Sequence, residues 1–386
     1  MAMNDLRSAL EQRRSRHLYR RREVLEGPQG VEVEFAGERF LAFCSNDYLG
    51  LASDPRVIEA FTAGAGRYGV GAGASHLLGG HGAAHHALEQ ELAEFVGSER
   101  ALLFSTGYMA NLGVAAALLD RRGTALEDKL NHASLIDAAR LSQAQVKRYP
   151  HGDLPRLERL LAAAAGRKLI LSDGVFSMDG DIAPLAALMK LARAAGAWLL
   201  LDDAHGLGVL GENGRGTFEH HGLAWEPPAI LMGTLGKALG TFGAFVAGSE
   251  EVIETLIQQA RTYIYTTALP PAVAEATRAS LKIARQEPWR RARLKELVQQ
   301  FRAGAAALGL KLGDSQTPIQ PVILGEPERA LAVSRALRAR GILVPAIRPP
   351  TVPAGSARLR VSFSAGHEPR HVERLLAALS GLKIKH

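Results

Sequence analysis

The chain has 386 residues, of which 47% are hydrophobic and 22% are charged. This composition is ordinary for a folded water-soluble protein, and the length exceeds what one compact core accommodates, so we expect at least two domains. The single cysteine, Cys44, excludes an internal disulfide framework and fits a reducing compartment. We expect Cys44 to be a small core residue.

The N-terminus lacks the apolar segment of a secretory signal, and no apolar run is long enough to span a bilayer. A cytoplasmic location is therefore predicted. The formal net charge is +7, but the basic residues are scattered through predicted helices. Because no aromatic-basic platform or zinc-finger spacing accompanies them, we expect no nucleic-acid partner, and anionic substrates or an acidic carrier explain the charge as well.

The first segment, residues 1–45, begins with an arginine-rich run that predicts a helix to about residue 26. Residues 31–35 alternate in period two and predict a strand. The apolar run 40–43 predicts a second strand, and Gly37 between the two runs marks a tight turn.

The second segment, residues 46–280, alternates between short apolar runs and helical stretches. This alternation predicts a mainly parallel sheet covered on both faces by helices, and ligands bind such sheets at the carboxyl ends of the strands. Polar clusters follow the strand ends here, so we expect the site along that edge. The predicted strands are 101–104, 168–171, 198–201 and 229–232, and the clusters after them are Ser105–Gly107, Asp173–Gly174, Asp202–His205 and Thr234–Lys237.

The third segment, residues 281–386, has a different pattern, which predicts a smaller α+β domain. Long charged helical stretches alternate here with single apolar strands. The expected elements are a helix over 289–308, a strand over 319–324, a helix over 328–340, strands over 342–346 and 358–363, and a final helix from 369.

Lys237 follows a buried strand and is flanked by glycines, an unusual place for a surface charge. Apolar surroundings disfavour the ammonium form and leave an amine able to attack a carbonyl, whereas a lysine reaching solvent from a loop is the alternative. Asp202 and His205 also follow a strand, and each alone is more often a turn or structural residue. An electron-sink cofactor requires an amine that binds its carbonyl and an acid that pairs with its ring nitrogen. Lys237 and Asp202 together offer these two groups.

A phosphate-binding element would complete that set. Gly107 and Tyr108 begin a predicted helix, where free N–H groups and the helix dipole favour an anion. The glycine alone is a weak signal, because many α/β proteins have one there. His132 can present a flat imidazole to a cofactor ring or cap the next helix, and the residues leave both open.

Five stretches of the chain together resemble the α-oxoamine synthases, a branch of the fold type I enzymes that depend on pyridoxal 5'-phosphate (PLP). They span nearly the whole chain in the order of that family. The resemblance implies PLP as cofactor and an α/β fold, with a large domain whose mainly parallel mixed sheet is sandwiched by helices and a smaller α+β C-terminal domain. It also implies an acyltransferase reaction and a homodimer with shared active sites. The stretches are Ser45–Gly50, Gly174–Gly180, Asp202–Gly206, Thr234–Lys237 and Arg348–Gly355.

By this resemblance, four residues have catalytic roles. Lys237 resembles the lysine that binds the cofactor aldehyde, Asp202 the acid that pairs with the ring nitrogen, and His132 the residue stacked on the ring. His205 resembles the residue near the ring 3-oxygen. The remaining expected cofactor contacts are Gly107, Tyr108, Ser177 and Thr234, with Thr266 and Thr267 reaching the phosphate in the neighbouring subunit. The expected substrate contacts are Arg20, Asn46, His132, Arg348 and Thr351, of which Arg348 resembles the clamp for the amino-acid carboxylate.

The Arg348–Gly355 run and Gly206 favour the branch member that condenses L-alanine with a pimeloyl thioester, on coenzyme A or an acyl-carrier protein, in biotin biosynthesis. A relative that uses glycine or serine is the alternative. Two departures from the family pattern bear on substrate preference: Leu207 replaces an expected threonine, and Asp173 stands where many synthases have glutamate, although the branch also uses aspartate. A PLP-type fold that serves only as a binding scaffold is a further alternative, against which the intact catalytic set argues. No metal is expected in this site.

Overall fold

The structure is a computed structural model that describes residues 3–20 and 22–382. The chain divides into two compact units. The sheet unit contains residues 47–177 and 181–291, and the terminal unit contains residues up to 46, 178–180 and those from 292 onward. No helix in the described ranges has both the length and the apolar character needed to cross a membrane.

The elements are numbered here in chain order. The strands are β1 (Glu32–Phe35), β2 (Glu38–Ala42), β3 (Arg100–Phe104), β4 (Thr124–Asp128), β5 (Gln145–Tyr149), β6 (Lys168–Asp173), β7 (Trp198–Asp202), β8 (Ala229–Thr234), β9 (Ala244–Gly248), β10 (Ile319–Gly325), β11 (Ile342–Leu343), β12 (Ala346–Ile347) and β13 (Ala357–Ser362). The helices are α1 (Met3–Ser15), α2 (Pro55–Tyr68), α3 (Ala83–Val96), α4 (Gly107–Leu118), α5 (Ala133–Leu141), α6 (Leu154–Ala162), α7 (Leu185–Ala195), α8 (Thr217–His220), α9 (Glu250–Gln259), α10 (Arg261–Ile264), α11 (Pro271–Gln286), α12 (Trp289–Ala307), α13 (Pro327–Arg338) and α14 (Pro369–Ser380).

The sheet unit is built on one seven-stranded sheet with the order β3-β9-β8-β7-β6-β4-β5. All strands run in one direction except β9, which pairs antiparallel with both of its neighbours. The predicted mainly parallel sheet is therefore confirmed. The central strands are nearly continuous apolar runs because helices cover both faces. Their register pairs Asp173 with Asp202, so two carboxyl groups lie side by side at the carboxyl edge.

The terminal unit contains two three-stranded sheets, β1-β2-β11 and β10-β13-β12. The predicted strand over 342–346 is two short strands that belong to different sheets, because Pro345 between them has no N–H to continue a ladder. The helix predicted to about residue 26 ends at Ser15, since His17 has a left-handed φ of 55°. Residues 1, 2 and 21 of that prediction lie outside the described ranges. Cys44 is exposed, so its predicted core position is wrong.

The two units do not coincide with the predicted segments 1–45, 46–280 and 281–386. Helix α11 belongs to the sheet unit because it packs on α2 and α3. The close approach depends on Gly64, where an added Cβ would lie 3.0 Å from the Cα of Ala272. The N-terminal segment groups with the C-terminal residues because β2 pairs with β11.

Candidate active site

Lys237 lies three residues beyond the end of β8, in a turn fixed by Thr234. The Thr234 hydroxyl donates to the carbonyl of Gly243 at 3.2 Å and accepts from the N–H of Gly236 at 3.4 Å. Lys237 Nζ lies 2.9 Å from Nε2 of His205. The structure thus joins two residues that the sequence predicted for one site.

Tyr48 extends this contact into a chain of three side chains. Its hydroxyl lies 2.6 Å from Nδ1 of His205, and the tyrosine is fully buried. When the hydroxyl donates to Nδ1, the ring proton is on Nε2 and is donated to a neutral Lys237 amine. The same chain accommodates a protonated lysine if both bonds reverse. Tyr48 and His205 therefore form a path for proton rearrangement next to Lys237.

Asp202, the last residue of β7, is only 5% exposed. Its carboxylate accepts from Nδ2 of Asn111 at 2.8 Å and from the N–H of Ala204 at 3.1 Å. The amide of Asn111 also donates to the Ser134 hydroxyl at 2.8 Å, while its oxygen is buried with no partner among the described residues. Asp202 is thus held in one orientation, and a carboxylate with two partners retains lone pairs for a further donor.

His132 caps α5, as one of the two open interpretations predicted. Nδ1 of His132 lies 2.7 Å from the Ser134 hydroxyl. The same atom accepts from the backbone N–H of Ser134 at 3.3 Å. Burial lowers the pKa of His132, the positive charge of Lys237 lowers it further, and Asp202 acts in the opposite direction. The ring is therefore neutral near pH 7. A role in stacking on a cofactor ring remains a prediction that the capping geometry does not oppose.

Asp173, which the sequence marked only as a departure from the family pattern, fixes the backbone at this point. Its Oδ2 accepts from the N–H of His132 at 2.9 Å. Burial, followed by the neighbouring charge of Asp202, raises the pKa of Asp173 well above its usual range. Two adjacent buried carboxyl groups resist being charged together, which favours the protonated form of Asp173.

The first turn of α4 has the free N–H groups that the predicted phosphate contact requires. Thr106 caps the helix by accepting from the N–H of Met109 at 3.2 Å. The N–H groups of Gly107 and Tyr108 have no partner within the helix and suit an anion. An added Cβ on Gly107 would lie 3.2 Å from the Met232 side chain, so glycine lets the helix begin close to β8. Tyr108 donates to Asp137 and lies edge-on to His132, with ring centroids 6.4 Å apart.

The chemistry of these residues fits PLP. An amine lies beyond one strand end, an oriented buried carboxylate ends the next strand, and a helix N-terminus supplies free N–H donors. An aldehyde, a ring nitrogen and a phosphate are the three groups that PLP presents to such partners. Lys237, Asp202 and Gly107 would hold those groups in that order.

Three other predicted cofactor contacts lie elsewhere in the sheet unit. Ser177 is half-buried, two residues beyond Val175. Thr267 forms an isolated antiparallel bridge with Ser75, and Thr266 lines a groove of about 750 Å³ together with Arg261. Because Thr266 and Thr267 are predicted to act on a neighbouring subunit, their role stays a prediction.

The predicted substrate arginines lie in the terminal unit. Arg20 Nη2 donates to the Thr351 hydroxyl at 3.3 Å. Burial lowers the pKa of Arg348, and the nearby cations Arg20 and Arg335 lower it further. Several cations gathered at one place attract an anion.

The fourth predicted substrate position in this unit is Asn46. Its Oδ1 accepts from Nη1 of Arg360 at 3.2 Å. Arg360 is 5% exposed and also donates to the Ser362 hydroxyl at 2.8 Å. The structure thus adds a buried arginine that the sequence did not single out.

The sequence reasoning missed three residues of the candidate site in the sheet unit, Tyr48, Asn111 and Ser134. It also missed Arg360 in the terminal unit. One signal was available, because Asn111 lies four residues after Gly107, on the same face of the helix. Tyr48 lies within a stretch that carried the resemblance, although no role was given to it. Nothing in the apolar pattern of β13 distinguishes Arg360 from a solvated arginine.

Comparisons with known proteins agree with this architecture. The family "Aminotransferase class I and II" matches residues 38–379. A curated relative, the 8-amino-7-oxononanoate synthase of Thioalkalivibrio sulfidiphilus, is 61% identical over 98% of this chain and 97% of its own length. A solved structure of serine palmitoyltransferase with PLP is 32% identical and covers 98% of this chain and 96% of its own, with a TM-score of 0.92.

A second solved structure is the 8-amino-7-oxononanoate synthase of Francisella tularensis. It is 34% identical, covers 89% of this chain and 97% of its own, and has a TM-score of 0.78. The predicted fold type I architecture is thereby confirmed. The chain belongs to the aminotransferase class I and II family.

Proposed function

We propose that this protein is an 8-amino-7-oxononanoate synthase, a PLP-dependent acyltransferase of biotin biosynthesis. It condenses L-alanine with a pimeloyl thioester and yields 8-amino-7-oxononanoate, CO2 and the free thiol. The observation that carries this proposal is the 61% identity over 98% of the chain to a curated synthase. The contact between Lys237 and His205 supports it, because the amine needed for the chemistry is already held in place.

PLP, when bound, supplies the electron sink for the pair of electrons left at the amino-acid α-carbon. Lys237 would hold the cofactor aldehyde through Nζ, and its free amine would accept the α-proton of alanine at that nitrogen. His205 and Tyr48 hold Lys237 in place by the chain of contacts at 2.9 and 2.6 Å. Their hydrogen bonds can reverse as the amine gains and loses a proton.

Asp202 would pair with the cofactor ring nitrogen and hold a proton on it. Its buried carboxyl group, oriented by Asn111 and Ala204, would stabilise a cationic ring more than solvent does. Asp173 supports this role by remaining protonated beside it. His132, neutral and fixed by its bond to Ser134, limits movement of the ring and donates a hydrogen bond to the thioester oxygen or the carboxylate.

The two substrates carry two carboxylates, and the terminal unit offers two sets of arginine partners. We assign the alanine carboxylate to Arg348, as the resemblance implies, with Arg20 and Thr351 as further substrate contacts. Arg360 with Asn46 forms the second set. Guanidinium groups suit this task because they bind carboxylates with two parallel hydrogen bonds.

An activity assay tests the proposed reaction. Purified protein is given L-alanine, glycine or L-serine with pimeloyl-CoA or the pimeloyl-acyl-carrier protein, and thiol release and product mass are measured. We expect alanine to exceed both other amino acids in kcat/KM with at least one pimeloyl donor. Preference for glycine or serine with a different acyl thioester would instead support the alternative member of the branch.

We also propose a homodimer in the cytoplasm whose Thr266 and Thr267 serve the neighbouring active site. In the test, Lys237→Ala chains and chains carrying both Thr266→Ala and Thr267→Ala are unfolded, mixed in equal amounts and refolded together. In a statistical mixture half of the dimers are hybrids with one intact composite site, so about a quarter of wild-type activity should return. Activity no greater than the sum of the two separate variants would contradict shared sites.

A further inference from the structure

A second cluster of polar side chains lies in the sheet unit outside the candidate active site, around the start of α3. His81 precedes the helix, and His86 and Glu89 are one turn apart on it. One potential ligand atom from each residue lies within 4.8 Å of the other two. Three atoms at this spacing can surround one cation with bonds of about 2 Å after small side-chain adjustments.

His81 and Glu89 face each other without forming a direct hydrogen bond. Nε2 of His81 lies 3.8 Å from Oε2 of Glu89, which is too far for a hydrogen bond. Both side chains are mostly buried, with exposed fractions of 29% and 13%. Two electron-pair donors that face each other across this distance leave room for a cation between them.

The remaining atom of each of these two groups is held by another partner. Nδ1 of His81 lies 3.0 Å from Nδ1 of His76, so a proton donated there leaves the His81 lone pair on Nε2, the atom that faces Glu89. Oε1 of Glu89 accepts from the N–H of Leu103 at 2.9 Å, which aims Oε2 at the cluster. Outer partners of this kind orient metal ligands and fix the tautomer of a ligating histidine.

The third ligand gives access from solvent. His86 is exposed, and the cluster lines a groove of about 510 Å³. Nε2 of His86 contacts the side-chain amide of Gln90 at 3.2 Å, and rotation of that amide presents an acceptor for the ring N–H. The nearby cation Arg100 is engaged by Glu250 and Glu254 at 2.5 Å each, which offsets its repulsion of a metal.

We propose that His81, His86 and Glu89 form a binding site for a divalent transition metal, with Zn²⁺ as the ion that best matches the ligands. Two imidazoles and one carboxylate are a common zinc set, and water completes the coordination. Alkaline-earth ions prefer oxygen ligands alone. The bound ion would tie the loop after the short helix His76–Leu78 to α3.

This tie has a structural consequence within the same unit. The short helix before this loop is preceded by Ser75, which bridges to Thr267, and the carbonyl of Ala74 accepts from the N–H of Ala268 at 2.9 Å. A metal at His81 therefore steadies a segment that contacts Thr267. Ligand binding to the native state alone raises thermal stability.

The test uses untagged holoenzyme that has been treated with a chelator, loaded with Zn²⁺ and passed through a desalting column. Elemental analysis should find about one zinc per chain, and titration calorimetry should show at least a tenfold weaker affinity for His86→Gln. His86 is exposed, so this variant keeps the fold. His220→Gln, which removes another exposed histidine on α8, serves as the matched control and should bind like wild type.

Two further readouts decide the location. Zinc should raise the Tm of wild-type protein but not that of Glu89→Gln, and anomalous scattering at the zinc edge should place the ion among the three ligand atoms. Equal zinc affinity in wild type and His86→Gln would overturn the proposal. So would failure of the wild-type protein to retain zinc, or an ion found at any other position.

Discussion

Replacing Tyr48 by phenylalanine tests the chain of contacts that holds Lys237. The change removes one hydroxyl and keeps the ring, which is fully buried. His205 is 7% exposed, and its Nδ1 then loses the partner at 2.6 Å. A buried acceptor left without its donor costs about 1–3 kcal/mol.

This cost falls on the arrangement in which His205 donates from Nε2 to a neutral Lys237. We therefore expect Tyr48→Phe to lower kcat by about 5- to 150-fold, because 1.36 kcal/mol corresponds to a factor of ten. The KM values for alanine and the thioester should stay within about twofold, since the hydroxyl is assigned to positioning and not to substrate binding. Steady-state kinetics with each substrate varied separately measures both quantities.

Tyr149→Phe is the matched control. Tyr149 is also buried, but it lies on β5 at the edge of the sheet, three strands away from β7. This variant should keep wild-type kcat. If Tyr48→Phe is folded, as judged by Tm and PLP content, and its kcat is within twofold of wild type, the contact between Tyr48 and His205 does not support Lys237 and the reasoning is refuted.

Three further predictions concern charge. Asp202→Asn should retain PLP but lose at least about 100-fold in kcat, because a neutral ring is a poor electron sink; turnover close to wild type would remove Asp202 from its role. Arg348→Ala should weaken alanine binding by on the order of 2–5 kcal/mol, measured as a rise in the KM for alanine. If this rise occurs in Arg360→Ala and not in Arg348→Ala, Arg360 is the partner of the alanine carboxylate. Burial lowers the pKa of His367 to about 4, so the unfolded chain binds more protons between pH 6.5 and 4 and stability falls as the pH falls through that range. The loss in the free energy of unfolding is at most about 3 kcal/mol. Between pH 7 and pH 5, the urea midpoint should shift less in His367→Gln than in wild type. An equal shift in both proteins would contradict the role of His367.

The pH prediction has a geometric basis in the terminal unit. Nδ1 of His367 accepts from the N–H of Ser364 at 2.9 Å, and Nε2 lies 3.0 Å from the carbonyl of Ala42. A second proton on the ring would place two N–H groups against each other. Protonation therefore requires the ring to give up a native contact.

Four of the seven strands of the sheet, β3, β6, β7 and β8, and the polar residues at their ends could be predicted from the sequence. Apolar runs such as 168–171 and 198–201 are unambiguous because both faces of the sheet are covered. The strands β4, β5 and β9 were not predicted. The sequences of β4 and β5 contain charged residues and form no continuous apolar run, and the antiparallel direction of β9 is not encoded in its apolar run.

The site residues that were predicted are those whose chemical groups identify them in the sequence. The residues that were missed are those whose role depends only on how the helices pack. Lys237, Asp202 and His205 stand out because an amine, an acid and an imidazole follow two strands of the sheet, and this is the set that an electron-sink cofactor requires. Asn111 and Ser134 are ordinary helix residues in the sequence, and their role follows only from the pairing of α4 with α5 beside β7. The helix expected to residue 26 failed because charge density does not show where a backbone leaves the helical region, as it does at His17.

Covalent attachment of the cofactor to Lys237 is tested most directly by borohydride reduction of the PLP-loaded protein, followed by proteolysis and mass spectrometry. The account predicts that the phosphopyridoxyl group is found on the peptide that contains Lys237 and on no other lysine. Absence of the group, or its presence on a different lysine such as Lys168 or Lys190, would contradict the account.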